Sequence, residues 1–378
     1  MLGHHGAGAA PDIQVCKLAA VIRKDVRRRQ DSCHPATEKL TNRDGPIAAC
    51  FGEVGIRGRA MRAIDIGIFP LTAKTARLDA LQAFAVALRR TEHRVTWVEE
   101  PGYRGCDLAV IYGSPGVGVG KRRAARQAII SRHRGPLLIV ETPLFGRKVP
   151  LIKRRRLPFL RAGSSETFDR FRIALNGCFW DNGIFCNEPT DARRWDRLRH
   201  ELGLECRDYR KEGDHILLVG QVPGDASPRG LDVVKWLEST VIDLSAWSDR
   251  RIVIRPHPLS GHAALSNLAR SLRSRGMTNW EIRSGGGLSD ALRNAWATIT
   301  YSSGAAIDSL LMGVPALSMC PASMAWSVSD HELGKIEQPT LFDRRPWLDR
   351  LAHSQWAPAE IEDGTVWDRF RGKIGELV

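Results

Sequence analysis

The chain has 378 residues, of which 43% are hydrophobic and 26% are charged, and its formal net charge is +14. This length predicts two domains, and the composition excludes a disordered or fibrous chain. No apolar run approaches the roughly 18–20 residues that span a bilayer, and the N-terminus lacks the apolar core of a signal peptide. We therefore expect a cytoplasmic protein.

Residues 1–60 show neither a strand period nor a helix period, so we predict a disordered or loosely attached extension. From 61 to 190, apolar runs alternate with helical patterns, which indicates βαβ units and a parallel, Rossmann-like acceptor domain. Residues 144–190 form a predicted irregular loop, ending at a helix over 190–204. The predicted strands of this domain are 63–71, 94–99, 107–112 and 136–141, and its helices are 76–90 and 121–134.

Residues 205–330 repeat this alternation and predict a second Rossmann-like domain, which would bind the nucleotide of a donor. The tail 331–378 carries Trp347, Trp356 and Trp367 and should pack back across the domains. Two such α/β domains facing a cleft form the GT-B architecture. The predicted strands here are 215–220, 251–255, 280–283, 297–301 and 316–319, and the helices are 229–239, 262–275, 288–295 and 304–312.

The positive charge is concentrated in two segments, 121–134 and 147–161. Such segments favour acidic partners, for example DNA, an anionic membrane surface or a phosphorylated substrate. A solvated helix face and loop would account for the same residues. Under the first interpretation, Arg147, Lys148, Arg154 and Arg155 bind an acceptor or polyanion, and the protein could sit peripherally at the inner membrane face.

Three polar turns each follow a predicted strand of the second domain: GQVPGDAS at 220–227, RPHP at 255–258 and SSG at 302–304. Ligands of parallel α/β sheets bind outside the carboxyl ends of the strands, so these turns should converge on one crevice. Taken singly, each turn also fits an ordinary β-turn, rigid loop or helix cap.

The third turn has the features of a phosphate site. Ser302 and Ser303 supply hydroxyl donors at a helix start, and Gly304 lets a phosphate come close. Asp308 lies one turn further along the same face, where it could accept hydrogen bonds from a ribose or simply balance the helix dipole.

The other two turns supply donor-binding candidates. Two prolines orient His257 rigidly at a strand end, where it can donate to a phosphate or a carboxylate, with Arg255 beside it. In the first turn, Gln221 should point into the cleft, and Asp225 is a turn residue within reach of the donor.

The combination of GQVPGDAS, RPHP and YSSGAAIDSLLMGVP resembles the capsule-polysaccharide biosynthesis glycosyltransferases, the family that includes bacterial Kdo transferases. The resemblance covers roughly 214–318. It implies transfer of a sugar from a nucleotide-sugar donor to a saccharide or glycolipid acceptor, inverting and without a metal or other cofactor. In the first domain it implies counterparts at Glu141, Arg147 and Asn176.

By that resemblance, Glu141 is the candidate catalytic base and Asp181 the reserve candidate. His257, Ser302, Ser303 and Arg255 would stabilise the departing phosphate, while Gln221 and Asp308 would position the nucleoside. No Asp-x-Asp pair suggests a metal, and the eight scattered cysteines form no metal-ligand pattern.

Three alternatives remain open at this point. A phage-type glycosyltransferase acting on a modified DNA base would use the same donor domain and bind DNA through the basic segments. A sugar-nucleotide 2-epimerase would share the two-domain architecture but need no acceptor. A nucleic-acid-binding protein without enzymatic activity would explain the charge but not the three turns.

Overall fold

A computed structural model describes residues 61–70, 75–99, 102–114, 121–146, 148–150, 166–222 and 226–378. All of the described residues belong to one compact unit, Gly58–Val378. The predicted extension over residues 1–60 lies outside them.

The described elements alternate between strand and helix over most of the chain. The strands are β1 (Asp65–Phe69), β2 (Arg94–Trp97), β3 (Leu108–Tyr112), β4 (Leu137–Glu141), β5 (Lys148–Pro150), β6 (Glu166–Phe168), β7 (Phe171–Leu175), β8 (His215–Val219), β9 (Arg251–Arg255), β10 (Trp280–Ile282), β11 (Ala295–Thr300), β12 (Ala316–Ser318) and β13 (Gln355–Trp356). The helices are α1 (Thr75–Leu88), α2 (Lys121–Arg132), α3 (Ala192–Leu202), α4 (Val233–Leu244), α5 (His262–Ser274), α6 (Leu288–Leu292), α7 (Ala305–Leu311), α8 (Arg345–Ala352), α9 (Pro358–Glu362) and α10 (Thr365–Leu377).

The first sheet has the strand order β13-β7-β4-β3-β1-β2. Its strands from β2 to β4 are parallel, whereas β7 and β13 extend the sheet in antiparallel pairs. The sequences LAVIY of β3 and LLIVE of β4 are apolar runs with a buried centre. Such runs suit parallel strands covered on both faces.

The second sheet has the order β10-β9-β8-β11-β12, and each of its pairings is parallel. Its core is formed by Ile216, Leu218, Ile254, Ile299 and their neighbours, packed under α4 and α5. The two α/β sheets confirm the predicted fold class of two Rossmann-like domains.

Residues 144–190 differ from the predicted irregular loop. They include β5 and β6, which pair with each other, and β7, whose five residues are all buried. The strand FRIAL was missed because arginine interrupts its apolar pattern and Asp169 and Arg170 precede it. Its pairing partner, β4, lies about 30 residues earlier in the chain, so only the tertiary fold identifies it.

The C-terminal segment returns to the first sheet. Trp356 on β13 is 2% exposed and joins the first core, as do Trp367 and Phe370 of α10. Upstream, Trp347 of α8 packs in a different cluster, together with Phe145 and Leu310. That cluster contains residues that follow strands of both sheets, so the segment connects the two halves of the compact unit.

Candidate active site

The carboxyl ends of both sheets border one cleft with a volume of about 290 Å³. The loops after β8, β9 and β11 reach it from the second sheet. The segment after β4, a residue of β7 and the loop following β7 reach it from the first. The lining residues are Thr142, Pro143, Leu144, Arg172, Phe179, Gln221, Val222, Ser227, His257, Ser302, Ser303, Gly304, Ile307, Ala322 and Met324.

Gln221 holds two of these loops together. Its Nε2 donates to the hydroxyls of Ser227 at 3.0 Å and Ser302 at 3.1 Å, and its Oε1 accepts from the Ser302 backbone N–H at 2.9 Å. The side chain is 5% exposed. These bonds occupy the amide and make Gln221 part of the cleft wall, and its predicted contact with a nucleoside stays a prediction.

The segment Ser302–Gly304 leads into α7, with Gly304 as its N-cap residue. The Ser303 hydroxyl accepts from the Ala305 N–H at 3.3 Å, while Ser302 is buried against Gln221. A Cβ atom added to Gly304 would meet no protein atom within 4 Å, and the backbone there is right-handed. The glycine therefore leaves free space at the cleft rather than permitting an unusual turn.

His257 has a defined hydrogen-bonding arrangement. Its Nδ1 accepts from the Leu259 N–H at 3.1 Å, so the neutral ring carries its proton on Nε2. The flanking Pro256 is buried, and the ring lines the cleft. His257 can thus present an N–H donor to a ligand in the cleft.

Asp308 lies next to the lining residue Ile307 on α7. The side chain retains exposed surface, yet the surrounding protein displaces enough solvent to raise its pKa from 3.8 to about 6. Asp308 is not among the described residues that line the cleft, and its contact with ribose hydroxyls stays a prediction.

Glu141 ends β4, but donors occupy its carboxylate. Oε2 accepts from the N–H and the hydroxyl of Ser114, both at 2.9 Å, and Oε1 accepts from the Thr142 N–H at 2.8 Å. Burial alone would raise its pKa, but the charge of Arg172 and these donors hold the pKa below its usual range. Both carboxylate oxygens of Glu141 thus already accept hydrogen bonds, and its role as general base stays a prediction.

Asp181 lies in the loop that follows β7. The turn is held by Asn182, whose Oδ1 accepts from the Phe179 N–H at 3.0 Å, and Gly177 is needed because a Cβ there would lie 2.3 Å from that oxygen. Asp181 Oδ1 accepts from Arg229 at 2.6 Å. Among the described residues, no donor meets its Oδ2. The ion pair links the loop after β7 to the loop after β8.

Two predicted ligand-binding residues lie elsewhere. The guanidinium of Arg255 donates to the carbonyls of Gly285 at 3.2 Å and Gly286 at 2.6 Å, so it supports a neighbouring loop and not the cleft. Asn176 has a φ of 62° and accepts from the Leu137 N–H, at the opposite end of β4 from Glu141. Backbone groups account for the described contacts of both side chains, and their ligand-binding roles stay predictions.

The basic segments are described only in part. The predicted helix 121–134 is present as α2, and within it Arg126 donates to the Ser114 carbonyl at 3.1 Å instead of extending into solvent. Arg147, Arg154, Arg155 and Asp225 lie outside the described residues, and for Lys148 only its position in β5 is described. Their predicted roles stay predictions.

Sequence reasoning missed Arg172, which lines the cleft from β7. The side chain is 8% exposed, and its guanidinium carbon lies 5.9 Å from the centre of the Phe179 ring. No motif marks it, since its position depends on the antiparallel pairing of β7 with β4, where Arg172 faces Glu141 across the register.

Within the described ranges, no three His, Cys, Asp or Glu side chains form a group suited to binding a metal ion. None of the helices described there combines the length and apolar character needed to cross a membrane.

The sequence matches no protein-family model and no curated protein sequence. Solved structures do resemble it. A β-Kdo 2,4-transferase KpsC from Thermosulfurimonas dismutans is 15% identical, with a TM-score of 0.48, over 84% of this chain and 98% of that one. The β-Kdo 2,7-transferase KpsC of that organism is 13% identical, with a TM-score of 0.44, over 82% and 99%. The UDP-GlcNAc 2-epimerase of Methanocaldococcus jannaschii is 13% identical, with a TM-score of 0.30, over 77% and 97%. At this level of similarity, function has to be argued from the cleft.

Proposed function

We propose that this protein is a glycosyltransferase that transfers a sugar from a nucleotide-activated donor to a saccharide or glycolipid acceptor. One observation carries the proposal. The loops bearing Gln221, His257 and Ser302–Gly304 meet in a cleft that a second Rossmann-like sheet also borders. A crevice of this kind, at the carboxyl ends of parallel strands, is where α/β proteins bind nucleotides.

The chemistry of the lining supports a phosphate-containing ligand. His257 offers an N–H donor, Ser303 a hydroxyl, and Gly304 leaves space for close approach. These groups would stabilise the negative charge that develops on the departing phosphate. Asp308 would accept hydrogen bonds from the ribose hydroxyls.

For the acceptor, an inverting transfer needs a base that takes a hydroxyl proton. We assign this role to Asp181 ahead of Glu141. The Asp181 side chain is 22% exposed and is engaged by Arg229 through one oxygen only, whereas both oxygens of Glu141 accept hydrogen bonds. We propose that the reaction needs no metal ion. Transferase activity should therefore persist in the presence of a metal chelator.

The test is nucleotide release from a panel of CMP-, UDP-, GDP- and dTDP-sugars, with and without a saccharide acceptor. His257→Ala should lower kcat by about 100-fold, because one donor to the transition-state charge is lost. The matched control is His262→Ala, since His262 is exposed at the start of α5 and contacts Ser266 at 3.4 Å.

Equal turnover in His257→Ala and wild type would refute the role of His257. A panel without any turnover or ligand-induced rise in melting temperature would refute the transferase proposal itself. Release of an epimerised nucleotide sugar with no acceptor present would identify an epimerase instead.

A further inference from the structure

Arg172 is a buried cation without a matching carboxylate contact. It is 8% exposed, and no acidic oxygen of a described residue lies within ion-pair distance of its guanidinium. Its Nε is enclosed and has no hydrogen-bond acceptor. Buried guanidinium groups are normally paired, because desolvated donors without partners are costly.

Glu141, which faces Arg172 in the strand register, accepts no hydrogen bond from it. Their backbones are paired across β4 and β7, and the charge of Arg172 contributes to the lowered pKa of Glu141. The carboxylate oxygens, however, accept their hydrogen bonds from Ser114 and Thr142. Glu141 therefore balances the charge through space and leaves the Arg172 donors unused.

Arg172 stands alone as a charged side chain in the described lining of the cleft. It is the one arginine, lysine or carboxylate residue among the described residues that line the cleft. The lining of the second sheet contributes the neutral donors of His257 and Ser303. A cleft with a single buried cation and several donors complements a ligand oxyanion.

We propose that Arg172 is the first-sheet half of an oxyanion subsite, in which its guanidinium binds a phosphoryl or carboxylate group of the ligand. The inference rests on the proposed function in that it concerns the same cleft. It adds that the bound substrate carries an anionic group held from the first sheet, in the same cleft that His257 lines. Two N–H groups of one guanidinium match two oxygens of either anion.

Arg170 provides a matched control, two residues away. It is also 8% exposed, but its guanidinium contacts Glu201 at 3.1 Å and borders a different cavity. Replacing it should leave anion binding in the cleft unchanged.

The experiment is calorimetric titration of the full chain with orthophosphate, pyrophosphate and D-glucuronate, at constant ionic strength set by chloride. The variants are Arg172→Gln, Arg172→Lys and Arg170→Gln, each with its melting temperature recorded. We expect wild type to bind at least one of the anions. Arg172→Gln should weaken that binding by about 10- to 100-fold, as for loss of a charge-assisted hydrogen bond, with Arg172→Lys in between.

The anion that binds identifies the group: orthophosphate or pyrophosphate indicates a phosphoryl group, and glucuronate indicates a sugar carboxylate. Wild type that binds none of the three, or a folded Arg172→Gln that binds them as wild type does, would overturn the proposal. These titrations use no nucleotide sugar. An anion site that depends on Arg172 in a protein without transferase activity would thus refute the proposed function and leave the subsite standing.

Discussion

Glu141 and Asp308, the acidic residues assigned to the two halves of the site, have opposite electrostatic environments. Hydrogen-bond donors and Arg172 lower the pKa of Glu141, whereas desolvation raises that of Asp308 to about 6. The position of both residues near the end of a strand or helix was predictable from the sequence, because the apolar pattern shows where these elements end. The sequence could not assign their chemistry, since Ser114 and Arg172 come from elements that only the fold brings to Glu141.

The raised pKa of Asp308 predicts that its ionisation costs stability. Below about pH 4 the carboxyl is protonated in both the folded and unfolded states; as pH rises to about 6 the unfolded state ionises first, so folding becomes less favourable. The free energy of unfolding of Asp308→Asn, relative to that of wild type, should therefore be about 1 kcal/mol higher at pH 7.5 than at pH 4. The expected difference is small because the side chain is partly solvated. Urea unfolding at the two pH values measures it.

The same variant should bind nucleotide more weakly if Asp308 contacts the ribose. A variant whose stability difference from wild type is the same at both pH values would contradict the electrostatic argument. Unchanged nucleotide affinity would contradict the ribose contact alone.

The open space at Gly304 predicts that a larger side chain there weakens nucleotide binding more than it lowers the stability of the fold. Gly304→Val should lower the free energy of unfolding by only about 1 kcal/mol, because valine is a poorer N-cap residue than glycine but its side chain enters open space. It should weaken nucleotide binding by at least about tenfold by filling that space. Gly261→Val is the control, since Gly261 also precedes a helix and also has open space around its Cβ position. Similar nucleotide affinity in the two variants would show that the ligand does not approach Gly304.

At the level of elements, one wall of the cleft is the irregular segment after β4. A single side chain of the distant strand β13 holds this segment in place. Gln355 on β13 is fully buried; its Oε1 accepts from the N–H groups of Leu144 and Phe145, both at 2.9 Å, and its Nε2 donates to the Phe145 carbonyl at 2.8 Å. The alternating strands and helices were predictable from local periodicity. This contact was not, because it joins residues about 210 positions apart.

Gln355→Ala should destabilise the protein by about 3 kcal/mol, because it leaves two backbone groups of the buried Phe145 and one of the partly buried Leu144 without partners. It should also raise the KM for the donor, since the segment after β4 lines the cleft. Chemical denaturation and donor titration measure the two effects. Gln338→Ala, at an exposed position, should do neither. A loss of stability in Gln355→Ala with an unaltered KM would show that the segment keeps its place without this anchor.

At the level of the whole molecule, the two sheets share a hydrophobic cluster. Phe145 and Ala174 come from the first half, Ala306 and Leu310 from the second, and Trp347 of the C-terminal segment packs among them. Trp347 is 2% exposed, and its Nε1 donates to the Met324 carbonyl at 2.8 Å. Because neither half buries its part of this cluster alone, the described compact unit should unfold in one cooperative transition.

Calorimetry tests this cooperativity. Wild type should give one transition for the compact unit, with equal calorimetric and van't Hoff enthalpies. Trp347→Ala should cost about 3 to 5 kcal/mol and either shift the whole transition or split it, because the residue contacts both halves. The exposed Trp247, with 56% of its surface accessible, supplies the control Trp247→Ala, which should leave the transition in place. Two separate transitions in wild type would mean that the halves fold independently. The hydrophobic cluster would then not fix the geometry of the cleft, and the bound ligand would have to do so.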